Sequence, residues 1–109
     1  MIKLKVQNNQ KVNVLNAIKK DNIYQYQLEG NIIKIEKCYD SIVIIITNKE
    51  YNNKLFFKEY DTYGVLSLGD SSSRYEIELI KLIILDKKIE IEYKIDDSFI
   101  FILEEIYDW

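Results

Sequence analysis

At 109 residues, with 48% hydrophobic and 30% charged side chains, the chain has the balance of one folded domain, large enough to bury a core without disulfides or metal. Its net charge of −3, from 15 basic and 18 acidic residues, gives no long-range pull toward phosphate backbones, so nucleic acid is not an expected partner. No apolar run approaches the roughly 20 residues of a membrane-spanning helix, and no secretory leader precedes Lys3 and Lys5; with Cys38 as the one thiol, the expectation is a cytoplasmic protein without disulfides or a membrane partner.

Isoleucine and tyrosine dominate while Ala17 is the one alanine, a bias toward side chains that pack on a pleated surface. Ile2, Leu4 and Val6 alternate with Lys3 and Lys5, the period of a half-buried strand. Asn8, Asn9 and Gln10 turn the chain, and Val12 with Val14 resumes the alternation. Val12, Leu15 and Ile18 also sit at helical spacing, so residues 12–20 fit either a strand or a short helical turn. Residues 23–28 carry Tyr24, Tyr26 and Leu28 on one face, and Glu29, Gly30 and Asn31 supply a turn. Ile33 and Ile35 lead to Cys38, Asp40 and Ser41 turn, and residues 42–47 form a strand apolar on both faces, hence central or covered. A polar loop over 48–53 precedes a strand over 54–60; another spans 63–68 and ends at Gly69 and Asp70, with Ser71, Ser72 and Ser73 as a loop.

The stretch 74–103 reads as three long strands joined by turns at Asp86-Lys87-Lys88 and Asp96-Asp97-Ser98. Tyr75, Ile77 and Leu79 are apolar on odd positions, Ile80, Leu82 and Ile84 on even ones. A strand changes face only with an extra residue, which predicts a β-bulge near Leu79 and Ile80. Ile89, Ile91, Tyr93 and Ile95 return to odd positions, so pairing across the next hairpin requires a short even loop, placed at Lys87-Lys88. The last strand is apolar on both faces, which leaves open which face of 99–107 turns inward; Phe99, Phe101 and Leu103 inward bury more aromatic surface and leave Ile100 and Ile102 outside. Hairpin after hairpin with no proline predicts an all-β antiparallel up-and-down meander over 1–109, closed into a small calycin-like barrel of about eight strands, with a β-sandwich as the runner-up.

Several segments together resemble the YwiB-like proteins, a bacterial family of unknown function with a lipocalin-like (calycin) barrel. They are Leu28-Glu29-Gly30-Asn31 leading to Ile35, the strand 42–47, Asn53-Lys54-Leu55-Phe56-Phe57, the strand Tyr63-Gly64-Val65-Leu66-Ser67-Leu68, and Ile89 to Ile95. The likeness spans roughly Tyr24 to the end of the chain, and Tyr63-Gly64 followed by alternating leucines is its most specific piece. The N-terminal portion is shorter than usual in that family, and Ser71-Ser72-Ser73 stands where members often carry a threonine. The resemblance implies a fold and no activity.

The chain has no histidine, the commonest general base and metal ligand near neutral pH. With Cys38 alone, zinc sites and Cys-His nucleophile pairs are not available, and no cofactor is expected. The pairs Glu76/Glu78 and Glu90/Glu92 alternate onto solvated faces, not into the cleft a glycosidase needs. Asp96-Asp97-Ser98 lacks the alternating ligands and glycine of a calcium loop, and Asp70 with its serines lacks a glycine-rich strand-to-helix junction. Tyr24 and Tyr26 would suit base stacking only beside a basic groove, for which Lys34, Lys54 and Lys58 are thin. No catalytic or metal-ligating residue is assigned. The expectation is a non-enzymatic barrel whose interior, lined by Tyr24, Tyr26, Tyr63, Tyr75, Tyr93 and Phe101, takes a small apolar ligand. The alternative is a protein-interaction module, an inhibitor or immunity-type partner or a homodimer, using the outer face at Ile100 and Ile102.

Overall fold

Tight turns and alternation set the elements. In the computed structural model, which describes residues 1–106, eleven strands follow one another. They are β1 (Ile2–Asn8), β2 (Lys11–Lys20), β3 (Ile23–Leu28), β4 (Asn31–Lys37), β5 (Ser41–Thr47), β6 (Asn52–Lys58), β7 (Tyr63–Leu68), β8 (Ser71–Glu76), β9 (Glu78–Ile84), β10 (Lys88–Lys94) and β11 (Ser98–Ile106). Two-residue turns at Asn9-Gln10, Asp21-Asn22, Glu29-Gly30 and Gly69-Asp70 each contain a positive φ, from 52° at Glu29 to 80° at Gly30, matching the twist of the hairpins they close. Every pairing is antiparallel, in the order β8-β7-β6-β5-β4-β3-β2-β1-β11-β10-β9, a meander rolled into a nearly closed barrel-shaped sheet.

Two strands change partner along their length and act as the corners. β2 pairs β1 over residues 11–17 and β3 only over 18–20. The stretch 71–84 pairs β7 as far as Glu76, passes through Ile77, and pairs β10 from Glu78 onward. Since β8 is antiparallel to β7 and β9 to β10, the chain of pairings makes β8 and β9 run in the same direction. They are two halves of one strand that leaves one end of the sheet and enters the other. The ring is therefore completed by the covalent chain, not by a ladder.

The count is eleven strands rather than about eight. The segments read as strands above already number ten, and the division at Ile77 makes eleven; the polar residues read as loops lengthen β6 and β8 without adding strands. β2 runs unbroken to Lys20 with no helical turn: Leu15 packs against the core, whereas Val12 and Ile18 point to solvent, so their helical spacing has no packing counterpart. β6 begins at Asn52, inside the expected loop, and Ser71 to Ser73 are the paired start of β8. The bulge is where parity demanded it. Glu92 opposes Lys81 and Tyr93 opposes Leu79, leaving Ile80 as the extra residue. The following hairpin has the required even loop one residue earlier than expected, Asp86-Lys87, closed by Leu85 N–H to the Lys88 carbonyl at 2.8 Å.

The interior is filled by side chains. A belt of cross-strand partners, Tyr24, Ile35, Ile44, Leu55, Gly64 and Tyr75, crosses β3 to β8. It faces Leu4, Val6, Ile89, Ile91, Phe101 and Leu103 from the other strands, and Phe57 meets Tyr93 with ring centroids 5.0 Å apart. Phe101 and Leu103 point inward and Ile100 outward, which decides the face that the sequence leaves open; Tyr107 lies outside the described residues.

Candidate functional site

Of the six residues expected to line the interior, Tyr24, Tyr26 and Phe101 belong to the core and Tyr75 and Tyr93 pack against it. Tyr63 does not. It pairs with Phe56 and Glu76 on the outer face, stacks on the Phe56 ring at 4.7 Å, and has the Arg74 guanidinium 4.0 Å from its ring centroid. The inward position beside it is Gly64, and the reason is Tyr75: a Cβ on Gly64 would fall within the Tyr75 ring, whose hydroxyl donates to Asn53 Oδ1 at 2.7 Å. A glycine covered by a cross-strand aromatic is a recognised way of filling a strand that lacks a side chain.

The four inner tyrosines are held neutral. Burial raises the pKa of each, and Tyr24 is raised further by donating to Glu105 Oε2 at 2.7 Å. Buried on the inside, Tyr24 and Tyr26 are also out of reach of a nucleobase. Burial pushes the Glu105 carboxyl up, but hydrogen bonds from Lys19 and Tyr24 and the charges of Lys19 and Lys87 outweigh it and hold it below the usual range. Lys19 Nζ lies 2.9 Å from Glu105, whose backbone N–H bonds the Lys87 carbonyl at 2.8 Å, and Lys37 Nζ caps the carbonyls of Leu85 and Asp86. This cluster closes one end of the interior and pins the β9–β10 turn to it. Among the described residues, the buried Asn13 Nδ2 and the Tyr26 hydroxyl have no hydrogen-bond partner.

Elsewhere the chemistry expected from the sequence stays modest. Glu76 and Glu78 are exposed, Glu90 sits 3.4 Å from Lys81, and Ser72 meets Ser67 at 2.9 Å across the β7–β8 hairpin. The Cys38 thiol is raised by burial and contacts Glu36 at 3.5 Å. Among the described residues, no group of three or more His, Cys, Asp or Glu side chains is placed to hold a metal, and no helix is long and apolar enough to cross a membrane.

A cleft of about 620 Å³ is lined by Tyr39, Asp40, Glu59 and Tyr60 from two loops and by Leu79, Ile80, Lys81, Leu82 and Ile84 of β9. Residues from both faces of β9 line it, so it follows the strand's free edge. A neighbouring cleft of about 460 Å³ extends it past Leu79 to Ile77, Glu76 and Arg74. The two form one trench along the unclosed seam, where the backbone bond is Ile77 N–H to the Thr62 carbonyl at 3.4 Å. Tyr39 and Tyr60 stand over it 99% and 98% exposed, and Tyr60 does so at φ 69°, a backbone region unfavourable for a bulky side chain. Sequence reasoning missed this seam. Tyr75, Ile77 and Leu79 alternate without a break across the point where the strand changes partner, so no local pattern marks it.

Ile100 and Ile102, the expected interface, lie on the outer face of β11, Ile100 at 38% exposure and Ile102 half-buried beside Gln7 and Glu90. The more exposed apolar stripe is on β2: Val12, Val14 and Ile18. Compared with known proteins, the chain matches no protein-family model, no curated protein and no solved structure.

Proposed function

We propose that this is a non-enzymatic protein-interaction module, and that its working surface is the open seam beside β9. The observation that carries this reading is the pairing of a free apolar strand edge with two tyrosines almost wholly in solvent, one of them on a strained backbone. Neither the exposure nor the φ of Tyr60 stabilises the free protein, and side chains kept at such a cost characterise binding surfaces. An inhibitor or immunity-type role fits a small rigid barrel with one aromatic-flanked edge. The cytoplasm, the compartment suited to a single free thiol, and a YwiB-like, calycin-type ancestry supported by the up-and-down strand order belong to the same proposal.

A second reading, a small ligand held inside, draws on the unpartnered Tyr26 hydroxyl and Asn13 Nδ2, since buried polar groups normally find a partner. Packing of the core argues for the first. Native mass spectrometry of protein isolated from its own host separates them. A stoichiometric polypeptide, lost in the Tyr39→Ala/Tyr60→Ala double variant, supports the interaction module. A bound small molecule with no polypeptide overturns it in favour of the ligand.

A further inference from the structure

The backbone along the seam defines what kind of partner fits. In an antiparallel ladder, residues alternately direct their N–H and C=O toward the partner strand and away from it. Leu85 bonds Lys88, so Ile83 and Lys81 turn their polar groups to β10, while Ile84 and Leu82 turn theirs to the open side. Leu82 and Ile84 are also residues that line the trench. The trench thus presents hydrogen-bonding groups at strand spacing, and the ligand matching them is another extended chain.

Charge selects among extended chains. Around the trench stand Asp40, Glu59, Asp61 and Glu76 against Arg74 and Lys81. Both cations are engaged, Arg74 with Glu76 at 3.4 Å and Lys81 with Glu90 at 3.4 Å, and Asp40 lies 3.6 Å from Lys58. Among the described residues Glu59 and Asp61 have no cationic partner. A second copy pairing β9 to β9 would bring two such acidic rims together, which like-charge repulsion opposes.

We infer that the free edge of β9 takes up an extended segment of a partner protein as an additional strand, the segment carrying basic side chains alternating with apolar ones. Its basic residues meet Glu59 and Asp61, and Tyr39 and Tyr60 close over its apolar side. The inference rests on the interaction reading and narrows it to one surface and one partner chemistry.

The test uses the full chain with capped peptides of roughly eight residues, a strand's length, alternating lysine with valine or threonine. Hydrogen exchange followed by NMR reads the amides of Leu82 and Ile84, which gain protection on binding. Affinity is expected to fall at least about tenfold when glutamate replaces the peptide's lysines or alternate peptide nitrogens are methylated, and similarly in the Glu59→Lys/Asp61→Lys variant. Equal binding of the acidic peptide, protection away from β9, or dimers of the free protein that protect β9 would each overturn the inference. The broader reading fails separately. A host partner whose footprint covers Val12, Val14 and Ile18 sinks the seam and leaves the interaction module standing, whereas a bound small molecule without any polypeptide sinks both.

Discussion

β8 and β9 are halves of one strand, and each supplies a free edge of the same sheet, yet their chemistry is opposite. β8 is Ser-Ser-Ser-Arg-Tyr-Glu, exposed at every position except Tyr75; β9 is Glu-Leu-Ile-Lys-Leu-Ile-Ile, half-buried at four positions. Unpaired strand edges invite other chains, and polar or charged side chains blunt them. β8 is blunted along its length. β9 has Glu78, Lys81 and a bulge among mostly apolar residues, and a trench runs beside it. A chain needing only to stay monomeric would treat both edges alike. The contrast implies that β8 is protected and β9 is kept receptive, and each half is anchored by a different force, which makes the contrast testable.

The β8 half is anchored by shape. Tyr75 lies over Gly64 and bonds Asn53, so Gly64→Ala must displace the ring and break that bond. The expected loss is roughly 2–4 kcal/mol, combining overpacking with a lost hydrogen bond. Denaturant unfolding measures it, and exchange protection should fall in β8 while the β9–β10 ladder persists. In a Tyr75→Ala background Gly64→Ala should cost much less than in the wild type, because the ring it displaces is gone. Additive losses would mean that Tyr75 does not hold β8 through Gly64.

The β9 half is anchored by charge, through Glu105, Lys19, Tyr24 and Lys37 beneath the β9–β10 turn. Glu105 has a depressed pKa in the fold, so its contribution is present above the ordinary carboxylate range and is lost as pH falls through the depressed value. Glu105→Gln should destabilise by about 1–2 kcal/mol at neutral pH, because glutamine replaces charge-assisted hydrogen bonds with neutral ones. It should also remove part of the wild type's acid sensitivity. A variant whose stability falls with acid just as the wild type's does would detach Glu105 from this role.

How far the contrast could be read in the sequence depends on whether local pattern carried it. The bulge at Ile80 was legible because parity cannot change otherwise, whereas the face of the last strand was not, because Phe101 and Leu103 compete there with Ile100 and Ile102. Tyr24 and Tyr26 followed from simple alternation. Tyr63 was misplaced because Gly64, the inward residue, has no side chain to declare the face; the information sits eleven residues on, in Tyr75. Val12 and Val14 point outward because β2 turns Asn13, Leu15 and Ala17 inward, so hydrophobicity alone misleads there. Ser71 to Ser73 read as loop because serine marks turns far more often than edges. The seam itself is a matter of which strands meet, and no single stretch of chain records that.

Tyr60 tests whether the receptive edge is maintained against stability. Glycine adopts φ 69° without the steric penalty of a side chain, so Tyr60→Gly should stabilise the free protein by roughly 0.5–1 kcal/mol. The same variant should lose affinity for the strand-forming peptide. A gain in both, or a loss of stability, would show that the exposed ring serves the fold and not a partner.

The smallest effect on folding is expected at the blunted edge, and it bears most directly on the comparison. Ser72 is exposed and gives up only a surface hydrogen bond to Ser67, so Ser72→Val should change stability by no more than about 0.5 kcal/mol. Valine restores strand propensity while removing the polar group that discourages pairing. If serine is what keeps β8 solitary, the variant will self-associate as concentration rises, seen by light scattering on a size-exclusion column, at concentrations where the wild type stays monomeric. A variant that remains monomeric would mean that β8 is shielded by the position of its neighbours. The polarity of its serines would then say nothing about why β9 is different, and the case for a receptive edge would rest on Tyr39, Tyr60 and the trench alone.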